Sequence, residues 1–144
     1  MEAALPWRDT AWAMSEENVE VVRRGYEHFA QTGEADATIY SPDVEWHSAA
    51  EDPNAEPFHG VEGVRRLIQE VRESLDGFRT EPFEYLDGGD FVVAGLTHRG
   101  RGKGSDAEVE MREWNVFLIE RGKIVSVHEY SDREAALRAA GLSE

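Results

Sequence analysis

The chain has 144 residues, 40% of them hydrophobic, and a formal net charge of −15. This length and composition predict one globular domain with its own core and argue against a disordered chain. The acidic charge argues against nucleic acid, whose phosphates need a basic surface, and against anionic membranes as partners.

No apolar run approaches the ~20 residues that a membrane-spanning helix needs, and the first residues lack the basic start and apolar centre of a signal peptide. The chain has no cysteine. That excludes disulfides and thiolate metal sites and fits a cytoplasmic location.

The first residues, 1–14, show no periodicity, and we predict a flexible N-terminal arm ahead of a single domain over residues 15–144. The alternative is that Trp7 and Trp12 of this arm dock on a neighbouring molecule.

A helix is predicted from Ser15 to Gly33, because apolar residues recur there at steps of three and four. A short second helix over 34–40 and a short strand over 44–47 follow, and then an acidic loop over 48–57. The apolar stripe of the first helix comprises Val19, Val22, Tyr26 and Phe29.

The sequence of the second half of the chain predicts a third helix, from Gly60 to Gly77, which is followed by strands. The first strand contains Pro82, which places it at a sheet edge or a bulge. The last helix covers 133–140. Because no strand–helix–strand alternation occurs, the class is α+β with a mostly antiparallel sheet.

The longest apolar segment is a hairpin over 109–132 with a Glu-Arg-Gly-Lys turn. Each strand alternates between two faces. One face carries Arg112, Trp114, Val116, Val127 and Glu129, and the family resemblance given below implies that this face lines a pocket. We expect the opposite face to point outwards: Met111, Phe117, Ile119, Ile124 and Tyr130.

This order of elements resembles the SnoaL-like branch of the nuclear transport factor two-like superfamily. The resemblance lies in SEENVEVVRRGYEHFAQTG, PDVEWHS, FHGVEGVRRLI and the segment from Arg112 to Leu142. It implies a cone-shaped curved sheet wrapped round a long N-terminal helix, an apolar pocket and a homodimer. The family includes isomerases, polyketide cyclases, hydrolases and binding modules, so the fold alone does not give the function.

Position by position, Tyr26 resembles the tyrosine with which ketosteroid isomerases donate a hydrogen bond to the enolate. The positions of that family's base and protonated aspartate hold Ser48 and Trp114. Arg112 and Glu129 resemble two members of the Asp-Arg-Asp set of epoxide hydrolases, and Trp114 again replaces the third. The resemblance therefore implies an incomplete site of either kind.

Two hypotheses remain open. The first is a cofactor-independent acid–base enzyme on a hydrophobic or cyclic substrate, with Glu129 as base, Arg112 as its orienter and Tyr26 as hydrogen-bond donor. The second is a non-catalytic module that binds an apolar metabolite. In both, the substrate-binding residues are Trp46, His47, Phe58, His59, Trp114, Val116 and Val127.

The histidines do not predict a metal site, because no two have the spacing of a helical metal pair. His47 and His59 flank the acidic loop and are expected at the rim of the pocket. The outward face of the hairpin predicts a homodimer, since an uncovered apolar patch marks an association site.

Overall fold

The computed structural model describes residues 6–48, 52 and 54–142, and side chains from residue 15 onward. Within them a curved sheet of six strands has the order β2-β1-β6-β5-β4-β3. Neighbouring strands are antiparallel except β1 and β6, which are parallel. The predicted α+β class with a mostly antiparallel curved sheet is confirmed.

Three helices accompany the sheet. They are α1 (Pro6–Thr32), α2 (Gly60–Ser74) and α3 (Arg133–Ala139). The first helix starts at Pro6, upstream of the predicted Ser15, so residues 6–14 of the expected arm have helical backbone. The predicted docking of Trp7 and Trp12 lies outside the described side chains.

The strands are β1 (Tyr40–His47), β2 (Phe58–His59), β3 (Leu75–Gly88), β4 (Phe91–Gly102), β5 (Glu108–Glu120) and β6 (Lys123–Tyr130). The predicted helix over 34–40 is wrong, because only a single 3-10 turn, Ala37–Ile39, forms there. The chain then enters β1, whose Val44 and Trp46 side chains are buried. Pro82 does lie on an edge strand, next to a shift in register.

The β5–β6 hairpin turns tightly at Arg121 and Gly122, whose φ angles of 52° and 77° are both positive. Two consecutive positive φ angles are typical of the turn that matches the twist of a hairpin. The register shifts by one residue between Leu118 and Ile119. Val125 on β6 is the extra residue of this bulge.

The core has two parts on opposite faces of the sheet. The larger joins α1 and α2 to the concave face and includes Val22, Val64, Leu96 and Phe117. The smaller lies under α3 on the convex face and comprises Val93, Val116, Ala136 and Ala140.

This arrangement corrects the predicted outward patch. Phe117, Ile119 and Ile124 are at most 2% exposed and belong to the concave core, because the bulge reverses the faces of β5 relative to β6. Met111 lies at the concave cavity, and Tyr130 packs in the smaller core. The convex face is also covered in part by α3. No helix among the described residues is long and apolar enough to cross a membrane.

Candidate functional site

A cavity of about 390 Å³ lies between α1, α2 and the concave face of the sheet. Its size falls in the range of small-molecule sites, roughly 300–1,000 Å³. The described lining is mostly apolar and contains six aromatic residues: Tyr26, Phe29, Tyr40, Trp46, Phe78 and Phe117.

One polar wall of the cavity is a hydrogen-bonded row across β3, β4 and β5. Thr80 Oγ1 lies 2.9 Å from His98 Nδ1, and His98 Nε2 lies 2.6 Å from Glu113 Oε1. The side chains of His98 and Glu113 are only 12% and 14% exposed. The row forms because Thr80, His98 and Met111 are cross-strand neighbours, and Glu113 points to the same face two residues further along β5.

A second carboxyl group of the cavity is that of Glu129 on β6. Its Oε2 accepts a hydrogen bond from the indole Nε1 of Trp46 at 2.6 Å. Burial and, to a smaller extent, the nearby Glu113 raise the pKa of Glu129, the Trp46 hydrogen bond opposes the shift, and the resulting pKa is about 8. Glu129 therefore holds a proton at neutral pH.

The third polar feature joins α1 to β5. Asn115 is 2% exposed and donates from Nδ2 to the Tyr26 hydroxyl oxygen at 3.1 Å. Burial raises the pKa of Tyr26 well above its usual value, so the phenol stays neutral. The Asn115 Oδ1 oxygen is buried without a hydrogen-bond partner in the described part of the chain.

The bulge explains which predicted residues reach this cavity. Without it, Trp114 would pair with Glu129; with it, Asn115 pairs with Glu129 and Trp114 pairs with Tyr130. A slip of one residue moves every side chain of a strand to the other face. The predicted placement of Arg112, Trp114 and Val116 in the pocket is therefore wrong.

These three residues lie on the convex face. The Arg112 guanidinium lies 4.8 Å from the centre of the Phe83 ring. Trp114 Nε1 donates to Glu84 Oε2 at 2.9 Å, and Val116 packs under α3. Arg112 thus cannot orient Glu129, and Trp46 makes that contact instead.

Of the other predicted binding residues, Trp46 lines the cavity and Val127 is buried beside it in the core. His47 stacks on His128 with ring centres 4.1 Å apart, and lies 3.3 Å from Glu45. His59 is exposed near the same glutamate.

Phe58 packs between the core and Arg66. Neither it nor the two predicted rim histidines, His47 and His59, lines the cavity. Among the described residues, no three His, Asp or Glu side chains are grouped so that they could hold a metal ion.

Sequence reasoning missed His98, Glu113 and Asn115 as cavity residues. Glu113 and Asn115 alternate with the apolar Met111 and Phe117, and this was a usable signal for one face of β5. What the alternation does not show is which face of β5 shares the cavity with Glu129, because the bulge decides it.

The fold is that of nuclear transport factor two-like proteins. The model of the SnoaL-like domain matches residues 22–127. The chain belongs to this SnoaL-like family. Comparison with curated proteins gives no significant match.

Solved structures show the same fold at low identity. A protein of this fold type and unknown function from Burkholderia pseudomallei K96243 is 22% identical, with a TM-score of 0.67, over 85% of this chain and 95% of its own.

TerC, co-crystallised with polyporic acid, is 20% identical with a TM-score of 0.67, over 87% of this chain and 98% of its own. A Catenulispora acidiphila protein with a ketosteroid isomerase-like fold, in complex with trimethylamine, is 17% identical with a TM-score of 0.67, over 85% and 93%.

Proposed function

We propose that the protein is a cofactor-independent acid–base catalyst acting on a neutral, apolar carbonyl compound. One observation carries this proposal: a carboxylate oriented by a histidine and a buried neutral phenol face the same apolar cavity. The groups are Glu113 with His98, and Tyr26.

Glu113 is the base in this proposal. A carboxylate only accepts hydrogen bonds, so His98 donates to it through Nε2, and His98 Nδ1 is hydrogen-bonded to the Thr80 hydroxyl. This row fixes the direction of the carboxylate and leaves its second oxygen for a substrate proton. Geometry is the first requirement for a general base, which must lie within hydrogen-bond reach of the proton that it removes.

Tyr26 is the hydrogen-bond donor to the substrate oxygen. Its oxygen already accepts from Asn115, so its own proton is free to point to a ligand. A donor that is fixed in a mostly apolar cavity stabilises negative charge as it develops on a carbonyl oxygen. Glu113 would remove a proton from the carbon next to the carbonyl, the Glu113 carboxylic acid then exchanges this proton with solvent, and a solvent-derived proton is returned to the carbon when the enolate collapses.

The charge of the cavity supports a neutral ligand. Its described lining includes Glu70, Glu113 and Glu129 and contains no Lys or Arg. A carboxylate or phosphate ligand would be buried there without a partner, which is costly. Two proteins of this fold, the TerC and trimethylamine complexes, support small-molecule binding by the fold in general.

The test is exchange of the acidic C1 protons of 2-tetralone, a bicyclic ketone, in deuterated buffer, followed by proton NMR. We expect the wild type to exchange them about 10²–10⁴-fold faster than Glu113→Gln, the usual contribution of a positioned base. Glu120→Gln is the matched control, because Glu120 is an exposed residue of the same strand.

Equal rates for the wild type and Glu113→Gln would contradict the proposal. If 2-tetralone binds in the cavity and no enhanced exchange occurs, the protein is the non-catalytic binding module instead.

We also propose a homodimer through the convex face. The residues that support it differ from the predicted patch: Phe83 is 43% exposed there and lies beside Trp114 and Arg112. An exposed aromatic ring with an adjoining arginine is typical of interface cores.

A further inference from the structure

The buried Oδ1 atom of Asn115 needs a hydrogen-bond donor. This side chain is 2% exposed, and its Oδ1 has no hydrogen-bond partner in the described part of the chain. A buried amide oxygen without a donor destabilises the fold, because it has lost its hydrogen bond to water and gained none in return. Its Nδ2 group is already committed to Tyr26.

Glu129 is the residue directly opposite Asn115 on the neighbouring strand. Side chains directly opposite on one face of an antiparallel pair have Cβ atoms roughly 4.5–5.5 Å apart. Both residues line the cavity. The Glu129 Oε2 atom accepts from Trp46, so a proton on this carboxyl group belongs on Oε1.

The titratable groups that face Glu129 favour its neutral form. Its pKa is raised to about 8 by burial and by Glu113 on β5, against the Trp46 bond from β1. The other titratable groups of the cavity are Tyr26 on α1, Glu70 on α2, Tyr40 on β1 and His98 on β4.

We infer that Glu129 donates its proton to Asn115 Oδ1, which completes a hydrogen-bonded chain from Trp46 through Glu129 and Asn115 to Tyr26. In this chain Glu129 is a positioning residue, neither the base nor the acid of the reaction. It fixes the orientation of the Asn115 amide, so that Nδ2 points to the Tyr26 oxygen and the Tyr26 proton points to the ligand. The inference deepens the proposed function and rests on it for the role of Tyr26.

The hydrogen-bonded chain predicts how the exchange rate responds when Glu129 loses its proton. When Glu129 ionises, two oxygens that only accept face each other across the β5–β6 ladder, and the Asn115 amide loses its fixed orientation. The exchange rate should then fall as the pH rises through about 8. A glutamine at position 129 keeps a donor at every pH, because its amide has both an oxygen for Trp46 and an N–H for Asn115.

The first test needs no turnover. Proton NMR of the wild type near pH 6 should show a low-field resonance from the Glu129 carboxyl proton, absent in Glu129→Gln. The resonance should disappear or move in Asn115→Leu and persist in Asn18→Leu, a matched change at a buried asparagine that bonds Gly89. A resonance unchanged in Asn115→Leu, or none in the wild type, overturns the inference.

The second test uses the exchange rate of 2-tetralone. Glu129→Leu should lose about 100-fold at saturating ketone, the scale of one misplaced donor. Glu129→Gln should exchange 2-tetralone at least tenfold faster than Glu129→Leu. Its rate should also show no fall above pH 8. If Glu129→Gln is as inactive as Glu129→Leu, Glu129 acts directly on the substrate, and the proposed hydrogen-bonded chain from Trp46 to Tyr26 is overturned.

The two proposals fail differently. Absence of exchange in every variant, with the low-field resonance behaving as expected, contradicts the catalytic function and leaves the hydrogen-bonded chain in place. Exchange that depends on Glu113, with the resonance unaffected by Asn115→Leu, contradicts the chain and leaves the catalytic function in place.

Discussion

At the scale of single residues, two glutamates in one cavity differ because their partners differ. Glu113 accepts from His98, whereas Glu129 is buried against Trp46 and holds a proton at neutral pH. These different partners suit the two roles proposed for the glutamates, a base at Glu113 and a positioning residue at Glu129. The sequence could predict Glu129 and Tyr26 as cavity residues, because both lie on stripes with a fixed period.

The sequence could not predict their partners. Arg112 was the expected partner of Glu129, and the structure gives Trp46, which lies 83 residues away in the chain. Such a contact depends on the parallel pairing of β1 with β6, and no local pattern specifies it.

The indole of Trp46 predicts a pKa effect at Glu129. Its hydrogen bond stabilises the ionised carboxylate, so Trp46→Phe should raise the pKa of Glu129 above about 8. The measurement is a pH titration of the Glu129 carboxyl carbon by NMR. Trp114→Phe is the matched control, since Trp114 bonds Glu84 on the convex face. A lower pKa in Trp46→Phe would contradict the assignment.

The raised pKa of Glu129 also predicts how stability depends on pH. Between about 4.5 and 8 the folded protein holds a proton that the unfolded chain has lost, so the free energy of unfolding falls as pH rises. Glu129→Gln removes this contribution. Denaturant unfolding across the range should show the variant gaining stability relative to the wild type as pH rises, with no further gain above 8. A constant difference would mean that Glu129 is already ionised in the fold.

At the scale of elements, the β5–β6 hairpin shows how far alternation can be used. It predicts both strands, their turn and the two faces of each strand. It does not predict the bulge at Leu118 and Ile119, because one extra residue among apolar neighbours leaves no mark in composition. Helix α3 is a second example: its cap at Asp132 is local, but its position on the convex face depends on contacts with three strands.

Two phenylalanines test which face of the hairpin is inside. Phe117 is 2% exposed and Phe83 is 43% exposed. Phe117→Ala should cost about 3–5 kcal/mol of unfolding free energy, as for a buried ring, and Phe83→Ala about 1 kcal/mol or less. Chemical denaturation gives both values. A larger loss of unfolding free energy for Phe83→Ala than for Phe117→Ala would contradict the bulge and favour the register without it.

At the scale of the whole molecule, most of the order of helices and strands was predictable because amphipathic spacing and turn residues are local, but the helix expected over 34–40 did not form and the short strand β2 was missed. The family match over residues 22–127 agrees with that order. The assembly is a different matter, since it depends on which surface the folded chain leaves uncovered.

The convex face predicts a dimer that tightens with salt, because each copy carries a charge of −15 and added salt screens the repulsion. Sedimentation at micromolar concentration should show it. Phe83→Asp should loosen the dimer, whereas Met111→Asp at the exposed edge of the cavity should leave it intact. A monomer at both low and high salt would contradict this surface.

The most direct test of the catalytic site is a crystal structure with 2-naphthol, a stable mimic of the enol of 2-tetralone. We expect the naphthol oxygen to lie roughly 2.6–3.2 Å from the Tyr26 hydroxyl and its C1 atom to face the Glu113 carboxylate. A naphthol whose oxygen faces Glu113, or one bound outside the cavity, would contradict it.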